Sequence, residues 1–285
     1  MKISGRTKTL GIFGDPIEQT LSPYMHNAAF EALGLDLVYA AFRVRKERLK
    51  YAVEAIRALD MPGANVTIPH KESVVPFLDE IDAEARDIGA VNTIVNADGR
   101  LRGFNTDGRG YVLSLRNETG FNPEGSTIII VGAGGAARAI IHSLLSLKPK
   151  TLVIANRTPS RAESLASEFG EKFGTAEVKT AGLDLSRYLP GADLLVNTTS
   201  MGMAGQESLP FPSIEGIKSG AIVSDIVFRP LDTPLIQEAT KMRLTVHRGL
   251  GMLVWQGALS FELWTGRKAP ADTMKFADVQ ALGAG

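Results

Sequence analysis

A short apolar run followed by a glycine-rich turn constrains the fold of this chain more than any other feature. Residues 127–131 read TIIIV, and the next six read GAGGAA before a helical pattern that continues to Leu147. β-Branched residues without polar alternation are typical of a parallel strand that is buried on both faces. The pattern predicts a strand, a tight turn and a helix, which together open a doubly wound α/β domain.

The glycine turn has the spacing G-x-G-x-x-A at residues 132–137. Gly132 allows a tight turn, Gly134 lets the backbone approach a pyrophosphate, and Ala137 lets the helix pack on the strand. Unpaired N–H groups at the positive end of the helix then meet the phosphates. The alternatives are a plain strand-to-helix turn and a domain of this kind that serves another nucleotide cofactor. The strand before the turn and the helix after it favour dinucleotide binding.

The residues after the next predicted strand indicate which dinucleotide is bound. An NAD site usually has Asp or Glu here for the ribose hydroxyls. This chain instead has Asn156, Arg157 and Thr158, with Arg161 close behind. A single arginine here is commonly an exposed surface residue. However, guanidinium groups bind phosphate through paired, charge-assisted hydrogen bonds, so two arginines at this point favour NADP over NAD.

Length and composition limit the class of protein. At 285 residues the chain is long for one compact domain, so two domains are expected. The 31 basic residues balance 31 acidic ones, which gives no overall field that favours nucleic acid or an anionic membrane. The lack of cysteine excludes disulfides, thiolate nucleophiles and cysteine-ligated metals, and no metal site is predicted. The sequence shows neither a signal peptide nor a membrane span, so the expected location is the cytoplasm.

Short apolar runs alternate with helical patterns, which is typical of an α/β protein with mainly parallel strands. The predicted strands are residues 9–13, 37–44, 65–68, 90–96, 100–104, 127–131, 152–155, 194–197, 221–226 and 244–247. The predicted helices are residues 23–33 and 252–265, one that continues from the glycine turn to Leu147, and another at the spacing of Leu49, Val53, Ile56 and Leu59. Residues 97–99 predict a hairpin turn. The polar stretch 117–126 predicts a surface connection between two units.

Thr20 and Ser22 are the first polar candidates in the N-terminal unit. They precede a predicted helix whose first proline is Pro23. Ser22 suits a helix N-cap, with proline at the first helical position. The two hydroxyls together also suit a bound carboxylate.

Lys71 and Asp107 are the candidates for chemistry. Lys71 follows a strand that Pro69 stops, and Asp107 lies in the run NTDG. A lone lysine is usually a surface residue and such a run is usually a turn. Because a nicotinamide carries the hydride chemistry itself, a dehydrogenase needs one group to exchange the alcohol proton and another to orient that group. A lysine and a carboxylate suit these roles, although spacing alone does not bring the two together.

Taken together, these motifs resemble the shikimate dehydrogenase family over nearly the whole chain. The stretches that carry the resemblance are GDPI (14–17), TLSP (20–23), HN (26–27), NVTIPHK (65–71), GAVNT (89–93), NTDG (105–108), GAGGAA (132–137), NRT (156–158), NTTSMG (197–202), PLDTPL (230–235), GLGMLVWQ (249–256) and WTG (264–266). The resemblance implies a two-domain α/β enzyme that reduces 3-dehydroshikimate to shikimate reversibly with NADPH, a step of aromatic amino-acid biosynthesis. It implies a substrate-binding domain at residues 1–108, completed by C-terminal helices at 252–285. The remaining residues, 109–251, would form a Rossmann-type NADP-binding domain.

Residue roles follow from the same resemblance. Lys71 and Asp107 match the family's catalytic pair. The residues that match substrate-binding positions are Thr20, Ser22, Thr67, Asn92, Asp107, Phe228 and Gln256. The residues that match cofactor positions are Gly132, Ala133, Gly134, Gly135, Ala136, Asn156, Arg157, Thr158, Arg161, Ile226 and Gly249. The expected ligands are a small molecule and NADP, with no nucleic-acid or membrane partner, and homodimer formation is left open.

Two positions depart from the family pattern near the expected substrate carboxylate. Thr20 stands where serine is common, and Phe228 stands where tyrosine is common. Loss of one hydrogen bond to a charged group costs roughly 1.5–3 kcal/mol unless water replaces it. One alternative is therefore a quinate/shikimate dehydrogenase with broader substrate or cofactor use, which residues 253–257 resemble. Arg157 argues against the NAD preference of that branch. The other alternative is a non-catalytic NADP-binding sensor, and retention of both Lys71 and Asp107 argues against it.

Overall fold

A computed structural model describes residues 2–283, which fold into two compact units. One unit contains residues up to 110 together with those from 254 onward, and the other contains residues 111–253. The C-terminal segment therefore folds with the N-terminal unit. The chain passes between the two units at two points, and each point lies within a helix. Both boundaries fall two residues later than the boundaries predicted from the sequence. No helix in the described range is long and apolar enough to cross a membrane.

The first unit is built on a six-stranded mixed sheet. Its elements are β1 (Lys8–Gly14), α1 (Ser22–Ala32), β2 (Leu37–Arg43), α2 (Leu49–Ala58), β3 (Gly63–Val66), β4 (Glu80–Ile81), α3 (Ala83–Ile88), β5 (Thr93–Ala97) and β6 (Arg100–Phe104), with the start of α4 (Asp107–Thr119). The strand order is β2-β1-β3-β5-β6-β4, and β5 runs antiparallel to both of its neighbours. The predicted hairpin turn between β5 and β6 is confirmed, with positive φ at Asp98 and Gly99 as a type I′ turn needs.

Helices cover the sheet of this unit. Val53 and Ile56 of α2 are fully buried in its core, as the helical spacing predicts. Leu59 was wrongly placed on that buried face: it follows the last residue of α2 and is 70% exposed. Elsewhere in the unit, Phe30 of α1 stacks on Phe261, which belongs to the C-terminal segment.

The second unit is a six-stranded parallel sheet with helices on both faces. Its elements after α4 are β7 (Thr127–Val131), α5 (Gly135–Leu145), β8 (Thr151–Ala155), α6 (Pro159–Phe173), β9 (Glu177–Ala181), β10 (Leu194–Asn197), β11 (Ile222–Asp225), α7 (Pro234–Lys241), β12 (Thr245–His247) and the start of α8 (Gly249–Thr265). The strand order β12-β11-β10-β7-β8-β9 reverses between β7 and β10. This is the order of a Rossmann domain, whose ligands bind at that reversal, outside the carboxyl ends of the strands. The predicted doubly wound fold is confirmed.

Side chains of β7 alternate between two cores. Ile128 and Ile130 pack with α4, α5 and α6, whereas Ile129 and Val131 pack with α7 and the segments around it. All four side chains are fully buried. This explains why the strand has no polar alternation.

Several local predictions need correction. The run NTDG is not an isolated turn, because Asp107 begins α4, and that helix extends through Thr119 into the stretch predicted as a surface connection. No sequence pattern predicted β4, β9 or α9 (Ala271–Gly283). β4 has only two residues, and β9 is a mostly exposed edge strand with charged side chains. Neither strand has the apolar run on which strand prediction depends.

Candidate functional site

Lys71 and Asp107 form a short ion pair in the first unit. Lys71 Nζ lies 2.6 Å from Asp107 Oδ2, and their side chains are 15% and 4% exposed. Lys71 lies beyond the end of β3, and its carbonyl accepts a hydrogen bond from Val91 N just before β5. Asp107 is the first residue of α4, directly after β6. The two side chains meet because β5 lies between β3 and β6 in the sheet.

Asn92 holds the other oxygen of this carboxylate. Its Nδ2 donates to Asp107 Oδ1 at 2.9 Å and to Thr106 Oγ1 at 2.9 Å, and lies 3.4 Å from Gln256 Oε1. Its Oδ1 accepts from Thr106 N and from Thr93 Oγ1. Four predicted site residues, Lys71, Asn92, Asp107 and Gln256, are therefore brought into one cluster. Both carboxylate oxygens of Asp107 have partners, so its orientation is fixed.

A buried hydroxyl lies beneath this cluster that sequence analysis did not identify. Ser260 Oγ lies 2.7 Å from Thr93 Oγ1 and 3.2 Å from Thr106 Oγ1, and it accepts from Asn65 Nδ2 at 3.2 Å. It also donates to the carbonyl of Gln256 at 2.9 Å. The available signal was helical spacing, since Ser260 is four residues after Gln256 and so lies on the same face of α8.

Thr20 and Ser22 form a hydroxyl pair at the start of α1. Thr20 Oγ1 lies 3.2 Å from Ser22 Oγ. The N-cap prediction for Ser22 was wrong, because Leu21 is the N-cap and Ser22 is the first helical residue. The Tyr39 hydroxyl lies near Ser22 and donates to Asn65 Oδ1 at 2.7 Å. Burial raises the pKa of Tyr39 well above its usual value, so this group stays a neutral donor between the hydroxyl pair and the cluster.

Thr67 begins the turn that leads to Lys71. Its backbone N–H donates to Phe13 O at the end of β1, and its carbonyl accepts from His70 N. These bonds tie the turn to the middle of the sheet. Thr67 is half-buried, so its side chain is accessible next to the lysine segment.

The glycine turn of the second unit has an open backbone surface. Gly132 has φ +119, and a Cβ there would clash with Thr198 Oγ1. Gly134 is the N-cap of α5 and has no side chain to cap the helix. A Cβ built on Gly134 meets no atom within 4 Å, so space is open in front of this helix start. Predicted residues Ala133, Gly135 and Ala136 complete the turn and the first helical residues. An uncapped helix start at the strand reversal fits a pyrophosphate.

The predicted 2′-phosphate residues lie beside this turn. β8 pairs with β7, and Gly132 N donates to Ala155 O, so Asn156 follows directly next to the glycine turn. Asn156 Nδ2 donates to the carbonyl of Thr158, the N-cap of α6. Arg157 and Arg161, the latter in the first turn of α6, are both exposed. Two exposed guanidinium groups beside the turn fit the extra phosphate of NADP.

Ile226 and Gly249 pack closely on the other side of the strand reversal. A Cβ on Gly249 would lie 2.6 Å from the carbonyl oxygen of Val227, so glycine is needed for this approach. Ile226 N donates to Asn197 O at the end of β10. Phe228 lies in the same segment and belongs to the second unit, whereas all other predicted substrate residues belong to the first. Among the residues that the structure describes, no group of three His, Asp or Glu side chains could hold a metal ion.

Three family models match successive parts of the chain. Residues 12–94 match the shikimate dehydrogenase substrate binding domain. Residues 116–204 match the shikimate/quinate 5-dehydrogenase family, and residues 249–275 match the shikimate 5′-dehydrogenase C-terminal domain. The first match includes Lys71 and Asn92, and the second includes the glycine turn.

Individual relatives match over almost their full length. A curated shikimate dehydrogenase (NADP+) from Methanopyrus kandleri is 46% identical over 99% of this chain and 98% of its own. A crystal structure of a shikimate dehydrogenase in complex with NADP+ has a TM-score of 0.92 and 43% identity, covering 99% of this chain and 98% of that one. The enzyme from Thermus thermophilus, in complex with NADP(H) and shikimate, has a TM-score of 0.87 and 38% identity, covering 96% of this chain and all of that one.

Proposed function

Because this chain belongs to the shikimate dehydrogenase family, we propose that it reduces 3-dehydroshikimate to shikimate, reversibly, as an NADP-dependent oxidoreductase of aromatic amino-acid biosynthesis. The observation that carries the proposal is the Lys71–Asp107 ion pair, which is largely buried and in which both carboxylate oxygens accept hydrogen bonds. It supplies the proton-exchanging group and the orienting group that such a reaction requires.

Lys71 has the catalytic role in this proposal. Its ammonium group has three N–H donors, and Asp107 accepts from one of them at 2.6 Å. A second donor can bind the oxygen of the substrate carbonyl and give it a proton as the alcohol forms. Asp107 holds the ammonium group in a fixed orientation, and Asn92 keeps Asp107 in place. The lysine therefore needs little rearrangement when substrate binds.

The remaining predicted residues of the first unit bind substrate. Thr20 and Ser22 offer two adjacent hydroxyls for the substrate carboxylate. Thr67, Asn92 and Gln256 offer polar groups for the ring hydroxyls. Phe228, the one predicted substrate residue of the second unit, has no hydroxyl and can offer apolar contact alone.

The second unit fits NADP. The helix start at Gly132–Ala136 suits the pyrophosphate, and Asn156, Arg157, Thr158 and Arg161 suit the adenosine ribose and its 2′-phosphate. Ile226 and Gly249 lie on the side of the sheet that suits the nicotinamide half. When bound, NADPH supplies the hydride, which leaves only positioning and proton exchange to the chain.

Steady-state assays of shikimate and quinate, each with NADP+ and with NAD+, test the proposal. We expect the highest kcat/KM for shikimate with NADP+. Preference for quinate or for NAD+ would identify the broader quinate/shikimate dehydrogenase instead. Absence of turnover with all four combinations would leave only a sensor role. Homodimer formation and a cytoplasmic location stay predictions, to be checked by sedimentation and by cell fractionation.

A further inference from the structure

Asp225 is a buried carboxylate at the carboxyl end of β11, in the second unit. It is 1% exposed. Its Oδ1 accepts from Asn197 Nδ2 and from Val227 N, both at 3.0 Å, and its Oδ2 accepts from Thr233 Oγ1 at 2.7 Å. These partners are two neutral side chains and one backbone amide. Hydrogen bonds rather than a countercharge therefore compensate for the loss of water around it.

The hydrogen-bond partners of Asp225 hold two loops in place, one after β10 and one after β11. Asn197 ends β10, and it also donates to Met201 O and accepts from both Thr199 N and Thr199 Oγ1. The carboxylate thus anchors the loop that follows β10. Thr233 is the N-cap of α7, where its hydroxyl oxygen accepts from Ile236 N. The loop between β11 and α7, which contains Ile226, is therefore held at both ends.

These loops lie at the edge of the sheet where a ligand is expected. The loop after β10 borders the glycine turn, because Thr198 donates both its N–H and its hydroxyl to Val131 O. A Rossmann domain binds the two halves of a dinucleotide on opposite sides of its strand reversal. β7, β8 and β9 make up the half that carries Arg157, whereas β10, β11 and β12 make up the half that carries Asp225.

Burial of a carboxylate without a countercharge has a thermodynamic cost. It raises the pKa of Asp225 to about 6, despite three hydrogen bonds that lower it. An apolar residue at the end of β11 would avoid this cost, as Val131 does at the end of β7. The hydrogen bonds of Asp225 fix the geometry of the two loops, which an apolar side chain could not do.

We propose that Asp225 is a positioning residue for the nicotinamide half of the NADP site: its carboxylate fixes the loops after β10 and β11 in the arrangement that the bound cofactor requires. The inference rests on the proposed function, because it presumes that NADP is the ligand. It assigns no contact between Asp225 and the cofactor. Asp225 acts through Asn197, Thr233 and the backbone around Ile226.

The test compares a whole cofactor with its adenine half. Calorimetric titrations with NADPH and with adenosine 2′,5′-bisphosphate are run on the full chain and on Asp225→Asn. The variant keeps the size of the side chain, but its amide N–H₂ group faces hydrogen-bond donors that the carboxylate of Asp225 accepted from. We expect the dissociation constant for NADPH to rise by about tenfold or more, where tenfold equals roughly 1.4 kcal/mol. Binding of the bisphosphate should stay within about twofold of the parent value, because its contacts lie in the half built from β7 to β9.

Asp193→Asn is the matched control. Asp193 lies at the opposite, amino end of β10, where it accepts from Thr127 N at 2.8 Å and pairs with Lys218. Like Asp225, it accepts a hydrogen bond from a backbone amide of the same unit, but a lysine supplies its countercharge and it lies away from the strand ends where a ligand is expected. We expect both ligands to bind this variant as they bind the parent chain.

Thr233 provides a second and independent pair of variants. Thr233→Val removes the hydroxyl that donates to Asp225, whereas Thr233→Ser retains it. The valine variant should weaken NADPH binding and raise KM for NADP+ without a matching rise in KM for shikimate. The serine variant should restore both values. This pair decides the question if Asp225→Asn does not fold.

Two results would overturn the inference. One is NADPH binding within about twofold of the parent in both Asp225→Asn and Thr233→Val. The other is equal loss of NADPH and the bisphosphate, which indicates general damage to the unit. If the parent chain binds neither ligand, the NADP assignment itself is wrong, and that failure is recognised before any variant is measured.

Discussion

The ammonium nitrogen of Lys71 lies 2.6 Å from Oδ2 of Asp107, although 36 residues separate them along the chain. Both side chains are largely buried, and Asn92 fixes the second oxygen of the carboxylate. The pair is therefore formed before substrate arrives. This supports an oriented lysine donor more than it supports a surface lysine with no chemical role.

Replacement of Lys71 by alanine tests this role. Loss of an acid–base group of this kind lowers turnover by about a hundredfold or more, so kcat of Lys71→Ala should fall by that factor. The control is Lys8→Ala, which breaks another lysine–aspartate pair of 2.8 Å, with Asp60, in which both side chains are mostly exposed. That variant should keep parental kcat. Near-parental turnover of Lys71→Ala in the shikimate assay would reject the catalytic assignment.

Arg157→Ala tests the origin of cofactor preference. The guanidinium group is exposed at the end of β8, next to the glycine turn, where it suits a 2′-phosphate. NADP+ binding should weaken by roughly tenfold, the scale of one lost charge-assisted hydrogen bond, while NAD+ binding stays almost unchanged. Arg187→Ala serves as the control, since Arg187 stacks on Tyr188 elsewhere in the same unit. An equal loss for NADP+ and NAD+ would show that Arg157 does not distinguish the two.

The second unit was the easier part to predict from the sequence, because its signals are local. β7 and β10 have the predicted bounds, since each is a short apolar run next to turn residues. The glycine turn was also predicted from a local signal, and the positive φ of Gly132 explains why glycine is needed there. The resemblance to the family added residue roles that no local pattern contains.

The contacts within the polar cluster of the first unit could not be predicted from local patterns, because they join residues that are distant in sequence. Asn65 and Ser260 are 195 residues apart, and their hydrogen bond exists only because α8 packs against the sheet. Ser260 itself lies within a mostly apolar helix, and a single serine in such a helix does not indicate a functional role. The start of α4 at Asp107 was not predicted for another reason, because the glycine that follows Asp107 indicates a turn.

Two glycine-to-alanine changes should have opposite effects on stability. A Cβ on Gly110 of α4 would lie 2.6 Å from the backbone nitrogen of Gln256, so Gly110→Ala must push α4 and α8 apart. We expect a loss of about 1–3 kcal/mol in the free energy of unfolding and a higher KM for shikimate, because Gln256 moves. Gly170→Ala, within α6, meets only Val178 at 3.9 Å and should stabilise by roughly 0.5–1 kcal/mol. Urea denaturation measures both, and destabilisation by Gly170→Ala would contradict the comparison.

Asp278 of α9 should make the stability of the first unit depend on pH. It is fully buried, and neither carboxylate oxygen has a hydrogen-bond partner within residues 2–283. Burial raises its pKa from 3.8 to about 8. Between about pH 4 and pH 8 the folded chain keeps a proton that the unfolded chain has released. The free energy of unfolding therefore falls as pH rises through this window, by about 1.4 kcal/mol per pH unit for this group.

Asp278→Asn removes the titrating group with almost no change in size, so the difference in stability between variant and parent isolates its contribution. We expect this difference to grow in favour of the variant from about pH 5 to pH 8 and to level off above, where the carboxyl has lost its proton in both states. Asp272→Asn, at an exposed position of the same helix, should show a constant difference from the parent. Denaturation curves at four pH values in this range measure both differences. A pH-independent difference for Asp278→Asn would mean that the folded chain holds this carboxyl in its ionised form, with water or a local rearrangement supplying the partners that its buried position lacks.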